Sequence, residues 1–189
     1  MTGRWRIQSL AGVRGEVLEV GFGSGTNLAH YPAEVERVDA VEPSDLAWER
    51  AQRAVDTFGR PVRRIGLDGA ALVLDDASVD AVVSSYTMCT IPDLESALAE
   101  FQRVLRPGGA LHFVEHSLSP EPRIAARQRR IQPVWGKLAG GCHLVRDIPE
   151  LVRTSGFALE SLDTFYAPGP AISKPFGWMT VGRAVRVSP

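Results

Sequence analysis

Apolar and polar positions along this chain fall into blocks that switch between the period of a strand and that of a helix. Val17, Leu18, Glu19 and Val20 run into Gly21-Phe22-Gly23-Ser24-Gly25, which reads as a buried strand entering a tight loop, with a helix over 26–31 that Pro32 ends. Residues 37–41 form a second apolar run that stops at Glu42-Pro43, and Ser44 then caps a helix through Phe58. Weaker strand character over 61–67 is followed by the turn Asp68-Gly69-Ala70, and 80–85 is a fourth strand. Leu94, Leu98, Phe101, Val104 and Leu105 recur at helical spacing, Arg106-Pro107-Gly108-Gly109 is a stop, and 110–115 is a fifth strand.

The last third changes character. Residues 121–138 are rich in Arg and interrupted by Pro133, Gly140-Gly141 breaks the chain, and 148–155 reads as a short helix. Strands follow over 157–164 and 178–187, joined by a Pro-rich loop too short for a crossover helix, so this pair is expected to run antiparallel. Apolar strands alternating with helices predict an α/β fold: a doubly wound, mostly parallel seven-stranded sheet with helices on both faces and an antiparallel last strand. Residues 1–15 lack clear periodicity, though Trp5, Ile7 and Leu10 suit a short helix or arm packed over a neighbouring site.

Composition narrows the function classes. A chain of 189 residues with 44% hydrophobic and 23% charged positions suits a single globular domain over 1–189. A net charge of -1 gives no global footprint for nucleic acid or an acidic membrane surface. The sequence offers neither the core of a secretory signal nor a run of membrane-spanning length, so a cytoplasmic location without a stable membrane anchor is expected. Cys89 and Cys142 are the only cysteines and lie far apart, which offers no CxxC metal or redox motif; both read as reduced packing residues, with no metal expected. Arg123, Arg127, Arg129, Arg130 and Lys137 interleave with Ile124, Ile131, Trp135 and Leu138, as on a helix with one packed face and solvated charges.

The glycine loop is where a ligand is expected, because glycines allow positive φ and close approach to backbone N–H groups. Its third glycine arrives one residue too early for a dinucleotide fingerprint, and no Gly-Lys-Ser/Thr follows to make a P-loop. Glu42 brings a carboxylate to the same sheet edge, suited to two vicinal ribose hydroxyls, with a solvated strand-end acid as the plain alternative. Asp68 ends the third strand there, as an adenine reader or as a turn cap.

Together, Glu19-x-Gly21-x-Gly23-x-Gly25, Glu42, Asp68-Gly69-Ala70, Asp80-Ala81-Val82-Val83 and Leu105-Arg106-Pro107-Gly108-Gly109 resemble the class I S-adenosylmethionine-dependent methyltransferases, over about residues 16–115. The resemblance implies a Rossmann-like fold and S-adenosyl-L-methionine as methyl donor, with S-adenosyl-L-homocysteine as product. It further implies that Gly21, Phe22, Gly23 and Gly25 surround the methionine part of the cofactor. Phe22 stands where many relatives have Cys, Ser or Thr, a departure the backbone contacts tolerate. Glu19 would help hold the ammonium, and Glu42 with Pro43 the ribose. Asp68, Gly69 and Ala70 would frame adenine, with Ser85 and Tyr86 near the sulfonium. Phe113-Val114-Glu115-His116 and Gly141-Cys142-His143-Leu144-Val145-Arg146-Asp147 are similar to the thiol-methylating microsomal methyltransferases and their bacterial relatives. The hydrophobic N-terminal anchor of the microsomal members is not seen here, so their membrane location does not transfer.

A sulfonium methyl is already activated, so the enzyme chiefly aligns a nucleophile and excludes water. A thiol acceptor must ionise, which makes His116, His143, Arg146 and Asp147 the candidates for the substrate wall, the two histidines and Asp147 as catalytic groups. Ser84-Ser85-Tyr86-Thr87 is not the Asn/Asp-Pro-Pro-Tyr sequence of enzymes that methylate amide or adenine nitrogens, which argues against nucleic acid as substrate. The expected partner is a small-molecule acceptor, either a thiol or a quinone or other carbon or oxygen nucleophile; a cofactor-binding or interaction protein without catalysis is the reading from another class.

Overall fold

The computed structural model describes residues 3–187; the first two residues of the expected N-terminal arm and the last two of the chain lie outside them. The elements alternate as the apolar pattern predicts: α1 (Gly3–Leu10), β1 (Gly15–Val20), β2 (Val35–Val41), α2 (Asp45–Phe58), β3 (Val62–Gly66), β4 (Val79–Ser85), α3 (Leu94–Val104), β5 (Leu105–His116), α4 (Pro122–Leu138), α5 (Ile148–Thr154), β6 (Phe157–Tyr166) and β7 (Trp178–Arg186). The seven strands form one sheet in the order β3-β2-β1-β4-β5-β7-β6. β1 pairs in parallel with β2 and β4, β2 with β3, and β4 with β5, while β7 is antiparallel to both β5 and β6. The final hairpin is therefore as expected.

Strand order reverses at β1 and β4, and in open α/β sheets the crevice beyond the carboxyl ends of such strands is where ligands bind. Two apolar layers hold these strands in place. Leu18, Val20, Val82 and Leu111 pack with Leu98, Phe101 and Val104 of α3 on one side. Val17, Val38, Ala81 and Val83 pack with Leu28, Tyr31 and Ala51 on the other.

Four local expectations change. The segment 26–31 is a 3-10 turn over Thr26–His30, not an α-helix, because Pro32 holds Tyr31 in the extended region (φ −65°, ψ 135°) and too few residues remain after Gly25 for an α-helical turn to propagate. Pro133 does not interrupt α4, which runs from Pro122 to Leu138. It lies on the exposed face, where the carbonyl it leaves unpaired can meet water. β5 begins at Leu105, so the Arg106–Gly109 stop already lies within the strand. In α1, Trp5 and Leu10 are buried but Ile7 is 56% exposed, and in α4 Leu138 is 79% exposed. α4 otherwise behaves as an amphipathic surface helix: Ile124, Ala125 and Gln128 are buried while Arg123, Arg127, Arg129, Arg130 and Lys137 stand in solvent.

Candidate active site

The loop after β1 turns back on itself through Gly21 (φ +75°), Gly23 (φ +59°) and Gly25 (φ +73°). At Gly21 the requirement is also steric: an added Cβ would lie 2.0 Å from Oγ1 of Thr87, in the loop after β4. The two halves of the switch point thus meet backbone to side chain, and a cavity of about 360 Å³ opens beside them. Gly21, Glu42, Pro43, Asp68 and Gly69, all singled out in the sequence, line it. So do Val20, Val41, Leu67, Thr87, Thr90, Ile91, Pro92 and Gly140, a largely apolar wall. Thr87, Thr90 and Gly140 were not singled out from sequence, since only the folded chain brings the 140–141 break to this edge.

Glu42 is 6% exposed at the end of β2. Its Oε2 accepts from Gly23 N (2.7 Å) and its Oε1 from Ser44 N (2.8 Å). A carboxylate offers about four acceptor sites, so two remain for vicinal hydroxyls. Asp68 is exposed and its Oδ1 accepts from Ala70 N (2.9 Å), an Asx turn at the edge of the cavity. Gly69 lies against Val20, where a Cβ would approach Cγ1 to 2.8 Å.

Of the other residues expected at the cofactor, Glu19, Phe22, Gly23, Gly25, Ala70, Ser85 and Tyr86 do not line the cavity directly. Phe22 turns its ring into the core, 5.4 Å from that of Trp48, leaving its backbone to the loop. Glu19 is buried and accepts from Tyr31 Oη (2.7 Å) and Asn27 Nδ2 (2.8 Å). Asn27 Nδ2 also reaches Ser85 Oγ (3.1 Å), and Asn27 Oδ1 accepts from Arg6 Nη1 (2.7 Å). The Arg6 guanidinium in turn lies 5.1 Å over the Tyr86 ring. The N-terminal helix is therefore wired to the glycine loop and to the end of β4 through Asn27, a residue that sequence reasoning missed. A polar side chain immediately after a Gly-rich turn was the available signal. Tyr86 has positive φ (59°), and its buried hydroxyl has no hydrogen-bond partner among the described residues.

Burial lifts the Glu19 carboxyl from 4.5 to about 7, the bonds from Tyr31 and Asn27 and the charge of Arg6 offsetting only part of the rise. The folded state therefore binds this proton more tightly than the unfolded chain. The contribution to stability is full below about pH 4.5 and is lost as pH rises to about 7. Glu19→Gln, neutral throughout, should raise the unfolding free energy by roughly 1 to 2 kcal/mol at about pH 8 and have little effect near pH 4.5, in urea denaturation at both pH values. Equal destabilisation at both would contradict this account.

Of the expected substrate wall, His116 ends β5 with its ring centroid 5.6 Å from that of Tyr86. His143 donates its backbone N to Cys89 O (2.7 Å) and places Nδ1 3.3 Å from the same oxygen. Asp147 is the N-cap of α5, accepting from Glu150 N (3.3 Å), and is exposed. Arg146 donates from Nη1 to Met88 O (2.7 Å) and from Nη2 to Pro92 O (3.2 Å), pinning the tail to the loop after β4. The fold brings His116 and His143 to the β4–β5 edge, while Asp147 and Arg146 serve the backbone.

Glu115 is the other functional residue that sequence missed. It is fully buried, and its carboxylate accepts from Ser84 Oγ (2.8 Å), Thr87 N (2.9 Å), Met88 N (3.0 Å) and Cys89 N (3.2 Å). One side chain thus holds the loop that carries Thr87 and Thr90 into the cavity. The signal was an acid inside an otherwise apolar strand, which must be paired to be buried.

A sheet of this order, with a buried acid and a glycine loop at its switch point, has the architecture of the S-adenosylmethionine-dependent methyltransferases. Residues 18–113 match the methyltransferase-domain family, and the chain belongs to it. It is 32% identical over 189 residues to thiol S-methyltransferase TMT1B of Rattus norvegicus, covering 96% of this chain and 75% of that protein. It is also 32% identical over 177 residues to thiol S-methyltransferase TMT1A of Homo sapiens, covering 86% and 68%. Among solved structures, a SAM-dependent methyltransferase from Methanosarcina mazei superposes with a TM-score of 0.70 at 18% identity, covering 97% of both chains. Geranyl diphosphate methyltransferase in complex with SAM superposes with 0.72 at 16% identity, covering 97% and 84%. The cofactor is S-adenosylmethionine, and the donor set fits it: a carboxylate with two free acceptor sites, bare glycine backbone and an apolar slot lie around one cavity. Among the described residues no helix is long and apolar enough to cross a membrane.

Proposed function

We propose that this methyltransferase acts in the cytoplasm on the sulfur of a small lipophilic thiol. The observation that carries the reading is the wall at the end of β5. His116 stands half-buried against Tyr86, and the tail segment 141–147 folds back beside it through the His143–Cys89 bond. That tail is the part of the chain whose motif resembles the thiol-methylating enzymes, and the relatives above are named for thiol methylation. Glu42 would hold the ribose, Asp68 to Ala70 the adenine, and the Gly21–Gly25 backbone with Glu19 the methionine end.

When bound, S-adenosylmethionine would supply a sulfonium methyl that a thiolate attacks in line, the new S–CH3 bond forming as the sulfonium–CH3 bond breaks and S-adenosylhomocysteine leaves. The chain's own tasks are to exclude water, to align the acceptor and to accept its proton. Behind the wall, Trp135, Phe176 and Ile131 pack half-buried against the buried Cys89, Cys142 and Leu144, so this side of the site is backed by an apolar cluster, which favours a lipophilic acceptor. His116 and His143 are the proton acceptors within the same wall.

Calorimetry with S-adenosylmethionine and S-adenosylhomocysteine should show saturable binding of both, and folded protein that binds neither would overturn the enzyme's cofactor assignment. Labelled methyl transfer to a panel of thiols, quinones and phenols then reads the acceptor. Products on thiols are expected, and products on quinones or phenols alone would reject the thiol reading.

A further inference from the structure

Cys89, Cys142 and His116, remote from one another in sequence, converge at one point. The two sulfurs are 3.7 Å apart, His116 Nδ1 is 3.9 Å from Cys142 Sγ, and the three potential ligand atoms all lie within 4.8 Å of one another. A different segment fixes each. Cys89 sits in the turn held by Glu115, His116 ends β5, and Cys142 follows α4, its carbonyl accepting from Gln132 Nε2 (3.0 Å). Apolar side chains enclose the sulfurs, and the indole N–H of Trp135 is buried there without a partner among the described residues.

We propose that Cys89, Cys142 and His116 bind a thiophilic divalent cation of the Zn²⁺ type, with the fourth coordination position open to the acceptor thiol. Two thiolates about 2.3 Å from a tetrahedral Zn²⁺ lie about 3.8 Å apart, which the 3.7 Å sulfur separation meets without movement. An imidazole nitrogen at about 2.1 Å would lie about 3.6 Å from each sulfur, so His116 needs only a small shift. A disulfide, by contrast, requires the sulfurs to close to about 2.05 Å. The chain has no third cysteine to complete a closed structural site, and three protein ligands leave a position for an exogenous one. Loading the cation releases the protons of the two thiols to water. The assignment of the fourth ligand rests on the thiol reading above. A thiol that reaches this position loses its proton to water through the metal, so in the metal-loaded protein the cation ionises the acceptor, and His116, the proton acceptor proposed above for the metal-free chain, is a ligand instead.

Metal-free, reduced protein titrated with CoCl₂ should take up one equivalent and develop a thiolate-to-cobalt charge-transfer band with the intense d–d bands of tetrahedral coordination. ZnCl₂ should bleach both. Because Cys89 and Cys142 are the only cysteines, the wild-type spectrum identifies them as ligands without a variant. Cys142→Ser should weaken the charge-transfer band and lower cobalt affinity at least about tenfold, since loss of even an outer-shell partner costs about 10- to 100-fold. No charge-transfer band in folded, reduced protein would overturn the site, as would a band unchanged by Cys142→Ser. A small alkyl thiol added to the cobalt form should shift the d–d bands; unshifted bands would overturn the open position. Intact cobalt spectra with methylation of quinones alone would reject the thiol reading and keep the metal. Thiol methylation with no cobalt spectrum would do the reverse.

Discussion

Replacing Glu115 by Ala should lower the unfolding free energy by roughly 3 to 5 kcal/mol, a large share of what a domain of this size has. The reason is the number of donors that lose their acceptor together. The carboxylate takes three consecutive backbone N–H groups, of Thr87, Met88 and Cys89, and the Ser84 hydroxyl, all inside the molecule. Each buried donor left without a partner costs about 1 to 3 kcal/mol, and water entering the space vacated by the side chain recovers part of the sum. Desolvation raises the Glu115 carboxyl above its ordinary value even with these bonds, so its burial is itself costly and only the complete set of donors makes it tolerable. Glu115→Gln keeps one carbonyl oxygen but sets an NH₂ among donors, and should fall between wild type and Ala. Because Thr87 and Thr90 line the cavity proposed to hold the cofactor, both variants should also bind S-adenosylhomocysteine more weakly under conditions where they remain folded. Urea denaturation and calorimetry read the two effects separately. A loss below about 1 kcal/mol for Glu115→Ala would mean that the loop is held by something else.

The contrast between Glu42 and Glu115 shows what a sequence displays. Glu42 announces itself because it closes an apolar run, is followed by Pro43 and stands at a fixed remove from a glycine loop; local pattern and motif spacing place it at the sheet edge before any contact is known. Glu115 lies inside an equally apolar run, and its partners at 84 and 87–89 are reached only once β4 and β5 are side by side. The same holds for Asn27, which joins Arg6, Glu19 and Ser85, and for Cys89 and Cys142, which meet through the return of segment 141–147. The alternation of strands and helices, the antiparallel final pair and the placing of Glu42 beside the glycine loop are legible because they follow from periodicity and short spacing. The wiring behind the edge is long-range pairing of single polar residues, for which a linear pattern carries no partner. Pro133 is a case of local grammar overridden: α4 continues because one lost bond on a solvated face is small beside the burial of Ile124, Ala125 and Gln128 on the other.

Replacing Glu42 by Ala should weaken S-adenosylmethionine binding by roughly 1.5 to 3 kcal/mol, about 10- to 150-fold in Kd. Two effects of the same side chain act in one direction. The first is direct: the carboxylate oxygens that face the cavity would lose charge-assisted bonds to the ribose hydroxyls, which are stronger than neutral ones. The second acts through the loop. Glu42 Oε2 receives Gly23 N at 2.7 Å, so the carboxylate also holds the glycine loop in the shape that presents its backbone to the methionine end. Glu42→Gln separates them. The amide oxygen can still accept from Gly23 N or from Ser44 N, and the amide can still bond hydroxyls, but the charge is gone. If ribose recognition dominates, Gln should recover a minor part of the affinity; if loop shape dominates, it should recover most of it. Calorimetry on the two variants, with circular dichroism to establish that each is folded, decides between them, and wild-type affinity in Glu42→Ala would remove this residue from cofactor binding.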